Sequence, residues 1–144
     1  ERYKALKFFK KMLNCFAPKF PSYRGKVDNK LDTLRSYKFS ICYENARDIP
    51  GYITEKIFDC FFAGCVPVYW GTNNICDHVP ANCFIDKTEF KSYEELYCFL
   101  KHISEEKYLS YISAVEGYLR GNLVEEFSSD YFADKIFSIV SGQK

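Results

Sequence analysis

Residues 37–71, YKFSICYENARDIPGYITEKIFDCFFAGCVPVYWG, constrain the fold more than any other stretch, because their pattern changes from strand to helix and back. Tyr37 to Tyr43 alternates and is rich in aromatic and β-branched residues, the mark of a strand. Glu44, Asn45, Asp48, Pro50 and Gly51 form a polar breaker. From Thr54 to Ala63 the apolar residues Ile57, Phe58, Phe61 and Phe62 fall at helical spacing, and Gly64 supplies the stop. Val66 to Trp70 is short and wholly apolar, as in a strand covered on both faces. The three pieces make one βαβ unit, which predicts parallel neighbouring strands and a crevice beyond their carboxyl ends. Glu44, Asn45, Tyr52, Thr54, Glu55 and Lys56 all fall where that crevice lies.

The size of the chain suits one such domain. With 144 residues, roughly two-thirds of the unfolded surface is buried on folding, and 47% apolar with 19% aromatic residues is enough for a core. A net charge of +1 argues against nucleic acid as a partner. No apolar run reaches the length of a membrane span. Seven cysteines, an odd number without a C-x-x-C pair, sit mostly in apolar runs and read as small hydrophobes rather than as zinc ligands or a disulfide framework. With no N-x-[ST] sequon either, the setting expected is reducing and cytoplasmic, membrane-peripheral at most. The first residue, Glu1, is not an initiator Met, so the chain reads as a piece cut from a longer protein.

Around the central unit, residues 2–16 read as an amphipathic helix and 17–30 as a loop carrying Arg24, Lys26 and Lys30. Residues 71–81 read as a loop and Cys83 to Asp86 as a short strand. Ser92 and Glu95 form a capping-box pattern that starts a helix through His102. Two further helices are predicted over 105–119 and 123–140. Leu109, Ile112 and Val115, then Phe127, Phe132, Ile136 and Ile139, are expected to face inward. His78 and His102 read as structural or solvent-facing.

The chemistry of the crevice follows from the helix start at Thr54. Free N–H groups and the helix dipole favour an anion there. Lys56 in the first turn opposes the dipole, a conflict that a bound phosphate relieves. Glu55 suits the dipole and offers a carboxylate for two ribose hydroxyls. Asn45 and Glu44 stand at a strand end, where ligands bind in open α/β sheets. The plainer readings stand beside these: Thr54 as a cap, Glu55 as a dipole partner, Lys56 as a solvated cation.

The motifs YKFSICYEN (37–45), GYITEK (51–56) and VPVYWG (66–71) together resemble the signature of the α-1,3/α-1,4-fucosyltransferases, glycosyltransferase family ten. The similarity continues weakly through residues 84–103. The resemblance implies an α/β, Rossmann-like three-layer domain, the carboxyl-terminal half of a GT-B enzyme, spanning 1–144. It implies GDP-fucose as donor and inverting transfer to a hydroxyl of an N-acetylglucosamine- or glucose-containing glycan. By the same resemblance Glu55 meets the ribose, Lys56 the diphosphate, and Tyr52 the sugar or phosphate, with Asn45 nearby; Thr54 and Glu44 join these as binding candidates by their place in the crevice. No cofactor or metal ion is called for. The family also carries an upstream Arg on the diphosphate. Arg2 is the residue of matching type, while aligning FFKKM (8–12) with the family's helix puts Ala5 there. The general base belongs to the family's amino-terminal, acceptor-binding domain, so no catalytic residue is expected within these residues. Another GDP-sugar, or a binding module without transfer chemistry, remains the alternative.

Overall fold

The computed structural model describes residues 26–142. Arg2, the helix expected over 2–16, Cys15 and Arg24 lie outside the described residues. The elements run α1 (Lys30–Leu34), β1 (Phe39–Tyr43), α2 (Glu55–Ala63), β2 (Val66–Trp70), β3 (Ile85–Asp86), α3 (Tyr93–His102), α4 (Glu105–Arg120) and α5 (Ser129–Ser141). Short 3-10 turns precede β3, follow it, and join α4 to α5.

The three strands form one parallel sheet in the order β1-β2-β3. Phe39 pairs with Val66 through to Tyr43 with Trp70, and Val68 pairs with Ile85. The expected βαβ unit is therefore present: β1 and β2 are parallel neighbours and α2 is the crossover between them. Strand side chains alternate between two apolar layers. Cys42 and Tyr69 join Ile57, Cys60 and Phe61 of α2 and Val115 and Tyr118 of α4. Tyr43, Val66, Val68 and Ile85 join Leu96 of α3, with Tyr108, Tyr111 and Ile112 of α4 packed against them. Helices thus cover both faces of the sheet, the three-layer Rossmann-like α/β arrangement. α4 serves both layers, its first turns on one and its last on the other.

Local signals explain most boundaries. Gly64 ends α2 at φ 72°, a left-handed conformation that suits glycine. Ser92 caps α3 by accepting from the Glu95 N–H. The Glu95 carboxylate reaches back one residue further than a capping box requires, accepting from the Lys91 N–H at 2.7 Å. α1 answers to Asn29, whose side chain accepts from the Leu31 and Asp32 N–H groups.

Three sequence expectations are corrected. The single helix over 123–140 is divided into a 3-10 turn, Asn122–Phe127, and α5, because Ser128 caps a new helix by accepting from the Tyr131 N–H. Leu109 is 52% exposed, whereas Ile112 and Val115 face inward as expected, with Tyr108, Tyr111 and Tyr118 of α4 beside them. Phe132, Ile136 and Ile139 of α5 are exposed rather than inward-facing. The period of a helix reports that it has an apolar face, and says nothing about what covers that face.

The six described cysteines are free thiols, with Cys42, Cys60, Cys65 and Cys83 buried and Cys76 and Cys98 exposed. Hydrogen bonding to Cys60, then burial, pushes the Cys42 and Cys65 thiols well above their ordinary range. Burial raises Cys83 to about 11. At Cys42, Cys65 and Cys83 deprotonation is thus disfavoured as well as access, whereas hydrogen bonds with the Cys42 and Cys65 thiols hold Cys60 down at about 4, so that burial alone protects it. Alkylation of the folded chain with iodoacetamide at neutral pH, mapped by peptide mass spectrometry, should label Cys76 and Cys98 and leave those four unmodified. Labelling of Cys42 or Cys60 at the same rate as Cys98 would contradict this packing.

Candidate functional site

The site is built where β1 ends and α2 begins. Backbone pairing continues past β1: the Glu44 N–H donates to the Trp70 carbonyl at 2.8 Å, and the Asp48 N–H to the Gly71 carbonyl at 3.3 Å. This pairing sends the Glu44 side chain under the first turn of α2. There its carboxylate is fully buried. Glu44 Oε1 accepts from the Thr54 N–H at 2.9 Å and from Thr54 Oγ1 at 3.0 Å. Glu44 Oε2 accepts from Thr54 Oγ1 at 2.7 Å and from Lys56 Nζ at 2.9 Å. Lys56 Nζ also donates to Thr54 Oγ1 at 3.0 Å. A buried carboxylate is tolerated only when paired and hydrogen-bonded, and this one is both.

The electrostatic conflict of Lys56 at a helix N-terminus is therefore resolved inside the protein, by Glu44. Lys56 retains 20% side-chain exposure at the edge of the crevice. Thr54 occupies the cap position of α2 with an extended backbone but makes no side-chain cap bond, its hydroxyl being turned to Glu44. The positive end of the helix, a fixed ammonium and the exposed carboxylate of Glu55 thus lie together.

Glu55 and Lys56 line a pocket of about 330 Å³, with Lys30, Ser40, Cys42 and Cys60 among its other walls. Lys30 is paired with Asp59 of α2. The Cys60 thiol donates to the Lys56 carbonyl. A larger depression, about 540 Å³, lies against residues 26–37, away from the strand ends, and is lined by none of the expected site residues.

The structure brings Glu44, Thr54 and Lys56 into direct contact and places Glu55 beside them. Asn45 follows Glu44 on the exposed rim, and Tyr52 is half-buried on the approach to α2. Glu44 stands behind the site, holding it, whereas Glu55 faces solvent. His78 bonds Glu126 at 3.1 Å and His102 bonds the Cys98 carbonyl at 2.9 Å, so each takes part in local structure. Lys30, read from the sequence as the last residue of a loop, instead opens α1, a helix short enough to be announced only by Asn29. Among the described residues, no group of three or more His, Cys, Asp or Glu side chains is arranged to hold a metal ion. No helix there is long and apolar enough to cross a membrane.

Comparison with known proteins shows the family to which the chain belongs. The family model described as glycosyltransferase family 10 (fucosyltransferase) C-term matches residues 3–140. The chain is 35% identical over 81 residues to the alpha-(1,3)-fucosyltransferase FucT of Helicobacter pylori, covering 56% of this chain and 17% of that protein. It is 37% identical over 73 residues to an alpha-(1,4)-fucosyltransferase of Arabidopsis thaliana, covering 51% of this chain and 18% of the relative. It is also similar to crystal structures of an alpha1,3-fucosyltransferase with GDP-fucose and with GDP. Each matches with a TM-score of 0.61 and 30% identity over 74% of this chain and 34% of that chain. The match therefore spans about a sixth of these curated relatives and about a third of the solved enzyme. The likeness of sequence and fold, an α/β domain of the kind that forms the carboxyl-terminal half of a GT-B enzyme, extends across the βαβ unit that carries the site. With its family model matched from residue 3 to residue 140, the chain belongs to glycosyltransferase family 10, the fucosyltransferases.

Proposed function

We propose that this chain is the donor-binding domain of an inverting fucosyltransferase, holding GDP-fucose for transfer to a hydroxyl of an N-acetylglucosamine- or glucose-containing glycan. The observation that carries the proposal is the Lys56 ammonium, fixed by buried Glu44 at the N-terminus of α2 beside a pocket of about 330 Å³. A diphosphate suits that place, because the helix end and the ammonium both favour negative charge. Glu55, exposed on the same turn, takes the ribose hydroxyls. Tyr52 and Asn45 line the approach to the sugar or phosphate.

In the proposed reaction the acceptor oxygen bonds to the anomeric carbon of fucose on the face opposite GDP. The bond from that carbon to the β-phosphate oxygen breaks, and its electron pair leaves with GDP. The acceptor proton passes to a base. Lys56 and the first-turn amides stabilise the charge growing on GDP. The proposal therefore calls for no metal ion, and GDP affinity should be the same with and without EDTA. The base and the acceptor surface are assigned to a second domain outside these 144 residues, in keeping with the small share of its relatives that the chain spans.

The structure refines what substitutions here should do. Glu55 is exposed, so Glu55→Ala should weaken GDP binding roughly tenfold or more at an unchanged melting temperature, the size of one charge-assisted bond. Lys56→Ala removes the phosphate contact and also leaves buried Glu44 without its counter-ion, so its stability should fall by about 3 kcal/mol along with its affinity. Glu44→Gln combined with Lys56→Gln replaces the ion pair by neutral amides, and should recover stability without recovering affinity. Calorimetric titration with GDP and thermal melts check all three. Unchanged GDP affinity in every variant would return Glu55 and Lys56 to purely structural roles.

A second expectation concerns turnover. General-base help contributes ~10²–10⁴-fold and acceptor orientation up to ~7–11 kcal/mol of barrier. A donor domain alone supplies neither. Incubated with GDP-fucose and N-acetyllactosamine, the chain should form no fucosylated product by mass spectrometry. Efficient turnover would place the base and the acceptor site within these residues.

A further inference from the structure

A second concavity, about 190 Å³, opens at the carboxyl ends of all three strands. Its walls include Arg47 and Asp48 after β1, Gly71 and Asn73 after β2, and Asp86 and Thr88 at and after β3. Glu44 stands between this concavity and the pocket at Lys56. Its carboxylate grips Lys56, which lines the one. Its Cγ lies 2.7 Å from where a Cβ on Gly71 would stand, and Gly71 lines the other. The same Cβ would meet the Tyr69 hydroxyl, so only glycine fits there. A nucleoside diphosphate sugar has the matching shape, with a nucleoside and a sugar ring hanging from opposite ends of a diphosphate.

We infer that this second concavity receives the sugar ring of the donor, with Arg47 and Asp48 reading its hydroxyls. The inference rests on the proposal that Lys56 holds the diphosphate. The lining chemistry selects the class of ligand. One guanidinium faces two carboxylates, so the cavity carries no excess of positive charge to attract a further anion. A guanidinium donates and a carboxylate accepts, and a sugar hydroxyl does both. Arg47 Nε lies 3.2 Å from Asp48 Oδ2 in an ion pair, and the guanidinium carries five N–H donors. Its guanidinium carbon lies 5.5 Å from the centre of the half-buried Trp70 ring, within cation–π range. Asp86 Oδ1 accepts from the Thr88 N–H and hydroxyl at 2.7 and 2.6 Å. Burial holds the Tyr69 phenol well above its ordinary range, so it is neutral where it accepts from the Thr72 N–H.

The rim is also set in advance. Asp48 adopts φ 58°, among the described residues the only non-glycine in the left-handed region. Such a conformation persists when surrounding bonds impose it, and it is concentrated at ligand sites. Here the Asp48 N–H donates to the Gly71 carbonyl, and the Gly51 N–H donates to Asn74 Oδ1 at 2.9 Å. Asn74 Oδ1 in turn accepts from Thr72 Oγ1 at 2.6 Å. The loop after β1 is thereby tied to the loop after β2, and the Arg47–Asp48 pair is positioned before any ligand arrives.

The test is the ratio of two affinities, GDP-fucose over GDP, measured by calorimetric titration of the full chain. Arg47→Ala and Asp48→Gly are the variants, glycine being the residue that accepts a positive φ. In each, GDP affinity should stay within about twofold of the unmutated chain, while the ratio falls roughly tenfold, the size of one charge-assisted bond. A fall of the ratio in either variant supports the inference. A ratio unchanged in both, a parallel loss of GDP and GDP-fucose, or equal affinity for the two in the unmutated chain overturns it while leaving the nucleotide proposal standing. A chain that binds neither compound overturns the nucleotide proposal and this inference with it.

Discussion

One buried carboxylate organises the functional end of this domain. The Glu44 side chain is fully buried, in a position where an unpaired charge would be strongly destabilising. It is tolerated because the first turn of α2 surrounds it with a backbone N–H, a hydroxyl and an ammonium. These bonds join residues ten and twelve positions apart in sequence. They also join the end of a strand to the start of the helix that follows it. The angle at which α2 enters the sheet, the place of the Lys56 ammonium and the separation of the two pockets all follow from that arrangement.

The sheet makes the arrangement possible. Backbone pairing that continues from Tyr43 to Glu44 and on to Asp48 keeps the loops after β1 and β2 adjacent. Glycine at position 71 lets Glu44 and Tyr69 approach across that seam. The two apolar layers then fix the sheet from both sides, α2 against one face and α3 against the other. The polar groups at the strand ends are thus carried by a packed frame, which is what a site built to discriminate between ligands requires.

Much of this was legible in the sequence, for physical reasons that can be named. β1, α2 and β2 were readable because their patterns differ sharply and Gly64 marks a boundary that glycine favours. The start of α3 was readable from Ser92. What escaped was set by tertiary context. The five residues of α1 are too few to show a period. The break at Ser128 was overridden by an apolar spacing that runs on through it. The exposed stripe of α5 looks in sequence like any buried one. At the site, Glu55 and Lys56 were visible as a pair, but the spacing alone placed Glu44 among the ligand-facing residues. Its burial beneath α2 depends on the strand pairing at Trp70, which a linear pattern does not contain. Arg47 and Asp48 carried no signal because their significance lies in a left-handed turn and a neighbouring loop.

Recognition of a guanosine diphosphate group at the start of α2 underlies the proposed function. Its most direct test is a titration of the unmutated chain with GDP, UDP, ADP and CMP at one temperature and ionic strength. Saturable binding of GDP, tighter than binding of the other three, is the expected result. Equal affinity for all four, or no binding of any, would contradict it.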